Sequence, residues 1–285
     1  MTLFIIPPLL GVIGVAFRMH NSGVPFLGSL LSVIVVDTPS DPARIVLENL
    51  ALWFVLYGGA TLLLYFSPKR WRSPWLLSFK FNPEDPSGGL MCAEFARSVR
   101  GVLIGSAWEV LVNQLVLSGH LPLRSPLFLD PSGGSVTLGQ FAKGGLAVFL
   151  FGDAHFYFSH RLLHTPYLFR RVHKVHHQSF NPDPFSGLSM HPVESAIYFS
   201  MAPMISLFAP LWLTRVVSKG LIIFPLESHS GFGSWDIEPS HAHYIHHAKV
   251  VYNYGASPAW DWLLGTDYRG VQHSQKRAAK AAASS

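Results

Sequence analysis

The chain alternates long apolar runs with short polar stretches, and several runs approach membrane-spanning length. Residues 45–66 and 99–117 each approach the roughly 20 residues a helix needs to cross a hydrocarbon core. A third run, 141–159, leads directly into polar sequence at His160. Residues 193–226 form a longer apolar stretch containing Pro203 and Pro210. This predicts a helical hairpin that enters the bilayer, breaks at the prolines and returns. Residues 2–17 and 24–36 are also apolar, but Pro7 and Pro8 weaken the first and the second is short. No charged segment precedes residues 2–17, so an uncleaved membrane segment is expected there rather than a signal peptide. The pattern predicts an all-α fold: an integral membrane helical bundle of about four or more transmembrane helices.

Composition agrees. Hydrophobic residues make up 49% of the 285 positions and charged residues 13%, with a mean hydropathy of +0.30. Soluble domains carry roughly 25% charged residues. The net charge of +5 lies largely in short segments beside apolar runs, which suits a membrane surface better than a nucleic acid. No nucleic-acid recognition motif is present. Lys69, Arg70 and Arg72 lie beside Trp71 and Trp75, an interfacial signature. The Pro- and Gly-rich segment 67–98 also holds Lys80 and Arg97, whereas 118–137 holds only Arg124. The positive-inside rule therefore places 67–98 in the cytosol. Two crossings later, His160 emerges on that side. Cys92 is the single cysteine, which rules out an intrachain disulfide and any CxxC site. Residues 271–285 read as a basic, alanine-rich tail.

The chemistry lies in the histidines. Of 15, 12 fall between His155 and His247; the others are His20, His120 and His273. Three boxes stand out: His160-Arg-Leu-Leu-His164, His173-Lys-Val-His176-His177 and His243-Tyr-Ile-His246-His247. Spacings of three and four put side chains on one face of a helix, so the boxes predict three combs of imidazoles. Eight imidazoles exceed the needs of one ion, which implies two. Imidazole suits zinc, copper, iron and nickel rather than magnesium or calcium. His155 and His241 fall off these faces and read as structural. His191 stands before Pro192 and near Glu194, with ligand, supporting and structural roles all open. Asp153, at the end of an apolar run, has three readings: a functional carboxylate, a helix cap or a partner of Arg161.

These boxes, in this order after an apolar span, resemble the fatty acid hydroxylase / sterol desaturase superfamily. The segment Phe185-Ser-Gly-Leu-Ser-Met-His191-Pro-Val-Glu194 and the segment from Asn253 to Thr266 look like that family's flanks. The resemblance covers about residues 141–268. It implies a membrane di-iron oxygenase of the endoplasmic reticulum with a cytosolic histidine-rich cap, acting on a sterol or fatty-acyl lipid. Carried over, the metal ligands are His160, His164, His173, His176, His177, His243, His246 and His247, with His229 as an additional ligand and His191 as a further candidate. Asp153, Glu194 and Asp261 become candidates for orienting those rings. Some relatives place a polar ligand four residues before the His229 position. Here Pro225 stands there, leaving Glu227 or water to fill that position. The family implies two iron ions, which zinc can replace after iron loss. It also implies an external b-type cytochrome and its NAD(P)H reductase, since no flavin, haem or nicotinamide motif is present.

The expected organisation is N-terminal membrane segments and a cytosolic loop over 1–98, a catalytic domain over 99–270 and a tail over 271–285. Two other classes compete with an oxygenase: a scaffold relative that binds metal without turnover, and a histidine-rich metal transporter. A transporter would place its ligands near the bilayer midplane on broken helices.

Overall fold

A computed structural model describes residues 40–66, 74–81, 84–121, 138–232 and 240–270. The expectations for residues 1–39, the Lys69–Arg72 cluster, Arg124 and the 271–285 tail lie outside the described residues. Those described are helical, with no strand among them.

Helix α1 (Pro42–Phe66) starts where the Asp41 side chain accepts the Ala43 N–H at 2.9 Å and Pro42 fixes the first turn. Two π turns, Phe54–Gly58 and Leu62–Phe66, interrupt its α geometry. A single turn, α2 (Pro74–Leu77), precedes α3 (Gly88–Leu117), which Ser87 caps. The polar segment expected over 67–98 is therefore shorter, because its last eleven residues already belong to α3. The 141–159 run becomes α4 (Leu138–Leu163), a helix that also carries the first histidine box. Then follow α5 (Pro166–Arg171) and two 3-10 turns, His173–Gln178 and Pro184–Leu188.

The apolar stretch 193–226 divides differently from expectation. It forms α6 (Pro192–Phe199), α7 (Met201–Ser206) and α8 (Leu211–His229). Pro203 lies in the first turn of α7, where a missing N–H costs nothing, so it does not break the chain. The reversal falls at residues 207–210, and Pro210 stands immediately before α8. Short helices α9 (Ser240–Lys249) and α10 (Ala259–Leu264) complete the described fold.

Among the described helices, Pro42–Phe66 alone is long and apolar enough to cross a membrane. Polar and charged side chains spread through the others account for the difference from the expected multi-span pattern: Arg100, Glu109, Asn113 and Gln114 in α3, Lys143 and Asp153 in α4, and Arg215 and Lys219 in α8.

One apolar core joins α1, α3, α6, α7 and α8 through Trp53, Tyr57, Val102, Tyr198, Phe199, Ile205 and Ile222. A Cβ on Gly105 would stand 2.6 Å from the Phe199 ring, so a glycine is what lets α3 and α6 meet. Beside this core lies a buried ionic network. Arg215 donates to Glu109 at 3.0 Å and to Glu48 at 2.7 Å. Lys219 reaches Glu109 at 2.9 Å and the Asn49 side-chain oxygen at 2.6 Å. Asn49 in turn donates to Glu109 at 3.0 Å. These bonds fix the mutual register of α1, α3 and α8. Replacing Glu109 by alanine leaves Arg215 and Lys219 buried with fewer partners, a loss of about 3–5 kcal/mol by analogy with broken buried ion pairs. Denaturant or thermal unfolding of the detergent-solubilised protein measures it; a loss below about 1 kcal/mol would show the network to be energetically idle.

Candidate metal centre

Nine imidazoles converge at one end of this bundle, in two adjoining groups. His160, His164, His173, His177 and His246 form the first group, and His176, His229, His243 and His247 the second. Within each group the candidate ligand atoms lie within 4.8 Å of one another. The grouping runs parallel to the spacing within each box. Residues four apart share a group: His160 with His164, His173 with His177, and His243 with His247. Residues three apart divide: His176 and His246 each join the group opposite to their box partners. The expected combs are thus split between two positions. The second comb also lies on a 3-10 turn rather than an α-helix.

The meeting atoms are all Nε2. In the first group His173 Nε2 stands 3.1, 2.9 and 3.1 Å from the Nε2 atoms of His160, His164 and His177. In the second, His229 Nε2 stands 3.2, 2.9 and 3.2 Å from those of His176, His243 and His247. An ion held at about 2.1 Å by imidazole nitrogens brings neighbouring ligand atoms to ~3 Å from one another.

The other ring nitrogen shows which tautomer is present. His160 Nδ1 donates to the Tyr254 carbonyl at 2.7 Å, and His246 Nδ1 to the Tyr252 carbonyl at 2.6 Å. His229 Nδ1 donates to the Pro225 carbonyl at 2.9 Å. His173 Nδ1 meets the Glu194 carboxylate at 2.7 Å. A carbonyl only accepts, so the proton sits on Nδ1 and the Nε2 lone pair points inward. Facing lone pairs repel unless a cation lies between them, and this donor set fits a metal ion in each group. Burial is the main force holding the rings neutral. It brings His160 and His229, which lie beyond the apolar runs, down to about 4.

The three carboxylates named from the sequence occupy distinct positions. Glu194 touches a ring directly. Asp261 accepts the Tyr254 and Gly255 N–H groups at 2.9 and 2.8 Å, and so holds the loop whose carbonyl orients His160. Asp153 accepts the Ser257 N–H and hydroxyl at 3.1 and 2.7 Å. It neither caps a helix nor meets Arg161, which donates to the Tyr157 hydroxyl instead. His191 lies in neither group and accepts the Val193 N–H at 3.2 Å, capping α6. His155 contacts the Ser200 hydroxyl and His241 stacks on Phe81, both away from the groups.

Pro225 has a part the sequence did not suggest. It lies within α8, where its missing N–H would strand the Leu221 carbonyl; the Tyr198 hydroxyl donates there at 2.9 Å. Its own carbonyl then orients His229. Glu227 is exposed and joins neither group. The carbonyls of Tyr252, Tyr254 and Pro225 left no trace in the sequence, because every residue type carries one.

A cavity of about 460 Å³ opens onto the groups. Its lining includes His160, His173, His176, His229 and His243, a few other polar side chains such as Asp153 and Glu194, and for the most part apolar residues of α4, α6, α7 and α8 such as Val148, Phe156, Ile205 and Leu213.

The site thus defines a class: an all-helical protein with two histidine-built candidate metal positions at the end of an apolar cavity. Residues 145–266 match the fatty acid hydroxylase family. The human fatty acid hydroxylase domain-containing protein 2 is 36% identical over 170 residues, covering 55% of this chain and 50% of that protein. Delta(7)-sterol 5(6)-desaturase of Candida dubliniensis is 33% identical over 188 residues, covering 63% of this chain and 47% of its own. Very-long-chain aldehyde decarbonylase GL1-11 of Oryza sativa subsp. indica is 31% identical over 157 residues, covering 47% and 57%. The chain spans about half the length of these curated relatives. No solved structure matches it. The segment carrying the histidine boxes belongs to the fatty acid hydroxylase / sterol desaturase superfamily.

The depressed histidines set a pH dependence for the metal-free protein. Unfolded imidazoles titrate near 6.5 and the folded ones near 4 or below, so the unfolded chain binds more protons between these values. Stability is fully present above about pH 6.5 and falls as the pH drops towards 4, by up to about 1.4 kcal/mol per pH unit for each group. Unfolding midpoints of chelator-treated protein across pH 4–8 measure this. A flat profile would show that the imidazoles are not buried neutral.

Proposed function

We propose that the protein is a membrane-bound, dioxygen-dependent oxidoreductase that hydroxylates or desaturates a sterol or fatty-acyl lipid at a di-iron centre. The observation that carries this reading is the convergence of nine Nε2 lone pairs on two adjoining positions at the end of an apolar cavity. His160, His164, His173, His177 and His246 would hold one ion, and His176, His229, His243 and His247 the other. Two ferrous ions bound there would supply reduction of dioxygen and hydrogen abstraction from an unactivated C–H bond.

The remaining work belongs to the chain. Glu194 and the carbonyls of Tyr254, Tyr252 and Pro225 hold the Nδ1 sides of His173, His160, His246 and His229 and fix those four rings. Asp261 and Asp153 tie down the 253–257 loop that supplies one of those carbonyls. The apolar walls exclude water and take a hydrocarbon group, presenting its C–H bonds beside His160 and His173. Leu146 and Phe224 line the cavity yet remain partly exposed, 55% and 40%, which supports entry from the side, between α4 and α8.

The same reading gives a multi-span bundle in the endoplasmic reticulum with its histidine cap facing the cytosol. Residues 99–270 form the catalytic unit, between the membrane segments of 1–98 and the basic tail. Electrons come from a b-type cytochrome and an NAD(P)H reductase. The relatives include proteins named as a desaturase, a decarbonylase and methylsterol monooxygenases, which supports lipid chemistry without choosing the substrate.

Replacing His176 by alanine is expected to lower bound iron and abolish product from supplied lipid, reductant and oxygen. His241→Ala, outside both groups, keeps iron and turnover within about twofold. Metal analysis with lipid profiling reads both. Full activity in His176→Ala would sink the assignment, and iron binding by the wild type without oxygen consumption on any lipid would favour a scaffold.

A further inference from the structure

Two buried carboxyls meet next to Ser179, just after the second histidine box. Glu94 belongs to α3, ahead of the apolar run 99–117, and Asp183 caps the Pro184–Leu188 turn; both are fully buried. Two of their four oxygens have donors. Ser179 Oγ donates to Glu94 Oε1, and the Phe185 N–H donates to Asp183 Oδ1 at 2.8 Å. Glu94 Oε2 and Asp183 Oδ2, also buried, have no donor among the described residues. Yet the two carboxyls are within hydrogen-bonding reach of each other. Two ionised carboxylates only accept, so one of the pair carries a proton. Burial is the main force that pushes Glu94 up to about 9, and the bond to Asp183 and its charge add to it. Burial raises Asp183 as well. The charged groups facing the pair are each other and Arg97, whose charge opposes the rise. With one shared proton, Glu94, Asp183 and Arg97 together are neutral.

Two lines of contact run from this pair to the second imidazole group. Ser179 closes the His173–Gln178 turn, its N–H donating to the His176 carbonyl at 3.3 Å, while its hydroxyl is tied to Glu94. The Pro184–Leu188 turn is capped by Asp183 and held to α3 by the Ser98 hydroxyl on the Phe185 carbonyl. Gly187 of that turn abuts Pro225, whose carbonyl orients His229. His176 and His229 both belong to the second group. His173 and His177 share the first of these turns, but His173 is separately held by Glu194, and His160, His164 and His246 come from other elements. We propose that Glu94, sharing one proton with Asp183, is a positioning residue for the second metal position, acting through Ser179 on His176 and through the Pro184–Leu188 turn on His229. The proposal rests on the two-ion reading above. Glu94 lies outside residues 145–266, the part that matches the family.

The test counts cobalt(II), a divalent stand-in for ferrous iron, bound by the full chain in detergent. Wild type is expected to hold two ions per chain and Glu94→Ala about one. Glu94→Gln is expected to hold two, since its amide donates to Asp183 as the shared proton does. Ser179→Ala cuts the same link from its other end and is expected to lose the same ion. The shared proton adds a pH signature. An unfolded glutamate releases its proton near 4.5 and the folded Glu94 near 9, so the folded chain holds the extra proton between these values. What the pair contributes therefore declines as the pH rises and is gone above about 9. Cobalt-loaded wild type is expected to release one ion to a chelator above that pH, and Glu94→Gln to keep both. In metal-free wild type, an infrared band of protonated carboxyl is expected to fade over the same range, and Glu94→Gln to lack it. Two ions in Glu94→Ala, loss of both together, or equal alkaline release from wild type and Glu94→Gln would overturn the proposal. A wild type that binds no cobalt would instead sink the two-ion reading, while the infrared band still reads the shared proton.

Discussion

The arrangement depends on one constraint: nitrogen lone pairs, which repel, are held pointing at one another. Each ring must be neutral, with its proton on the outer nitrogen. Burial enforces neutrality, and the tautomer follows from acceptors placed behind four of the rings. Rigid support must therefore come from the scaffold. The ionic network locks α1, α3 and α8. Gly105 lets α3 close on Phe199, and Gly187 lets the Pro184–Leu188 turn close on Pro225, where an added Cβ would meet the proline carbonyl at 2.7 Å. That turn follows the second histidine box along the chain, and Pro225 lies one helical turn before His229. The packing that fixes α8 also fixes the acceptor that orients His229.

Much of this was legible in the sequence and some was not, for physical reasons. The boxes could be read because helical geometry converts spacings of three and four into a shared direction. Their division between two groups could not, since it depends on ring rotamers and on where neighbouring elements bring their own imidazoles. The second box reads as an α-helix but forms a 3-10 turn, a distinction that packing settles more than local preference. Glu194 was legible as a candidate for orienting a ring, though the ring it meets is His173 rather than its sequence neighbour His191. The carbonyl acceptors were not, because side-chain identity does not encode them. Pro225 reads as a missing ligand when only side chains are considered. With the backbone in view, it is a residue whose lost hydrogen bond is taken over by Tyr198 and whose carbonyl serves His229.

The membrane pattern shows a complementary limit. Hydropathy finds α1 because the residues it gives to the ionic network, Glu48 and Asn49, lie within its first eight positions and leave a long apolar run behind them. The runs at 99–117 and 141–159 also fold as helices, yet they carry Glu109 and Asp153, each with buried partners. A window average reads such residues as interruptions of an apolar helix. In the folded chain they fasten one helix to another.

Helix α4 brings these themes together. Its stripe from Gly145 through Gly152 and Phe156 lines the apolar cavity, and its last turns carry His160, Arg161 and His164. A substrate that enters among the apolar helices and a reductant that arrives at the polar cap would therefore meet opposite ends of one rigid element. His160 lines the cavity, whereas His164, one turn on, is only partly buried beside Phe169. Both rings belong to the same group, so a single ion there would face the hydrocarbon on one side and solvent on the other. The second group has its four rings buried and three of them, His176, His229 and His243, on the cavity wall. Access alone separates the two groups: both put rings on the apolar cavity, and only the first also has rings that are not fully buried.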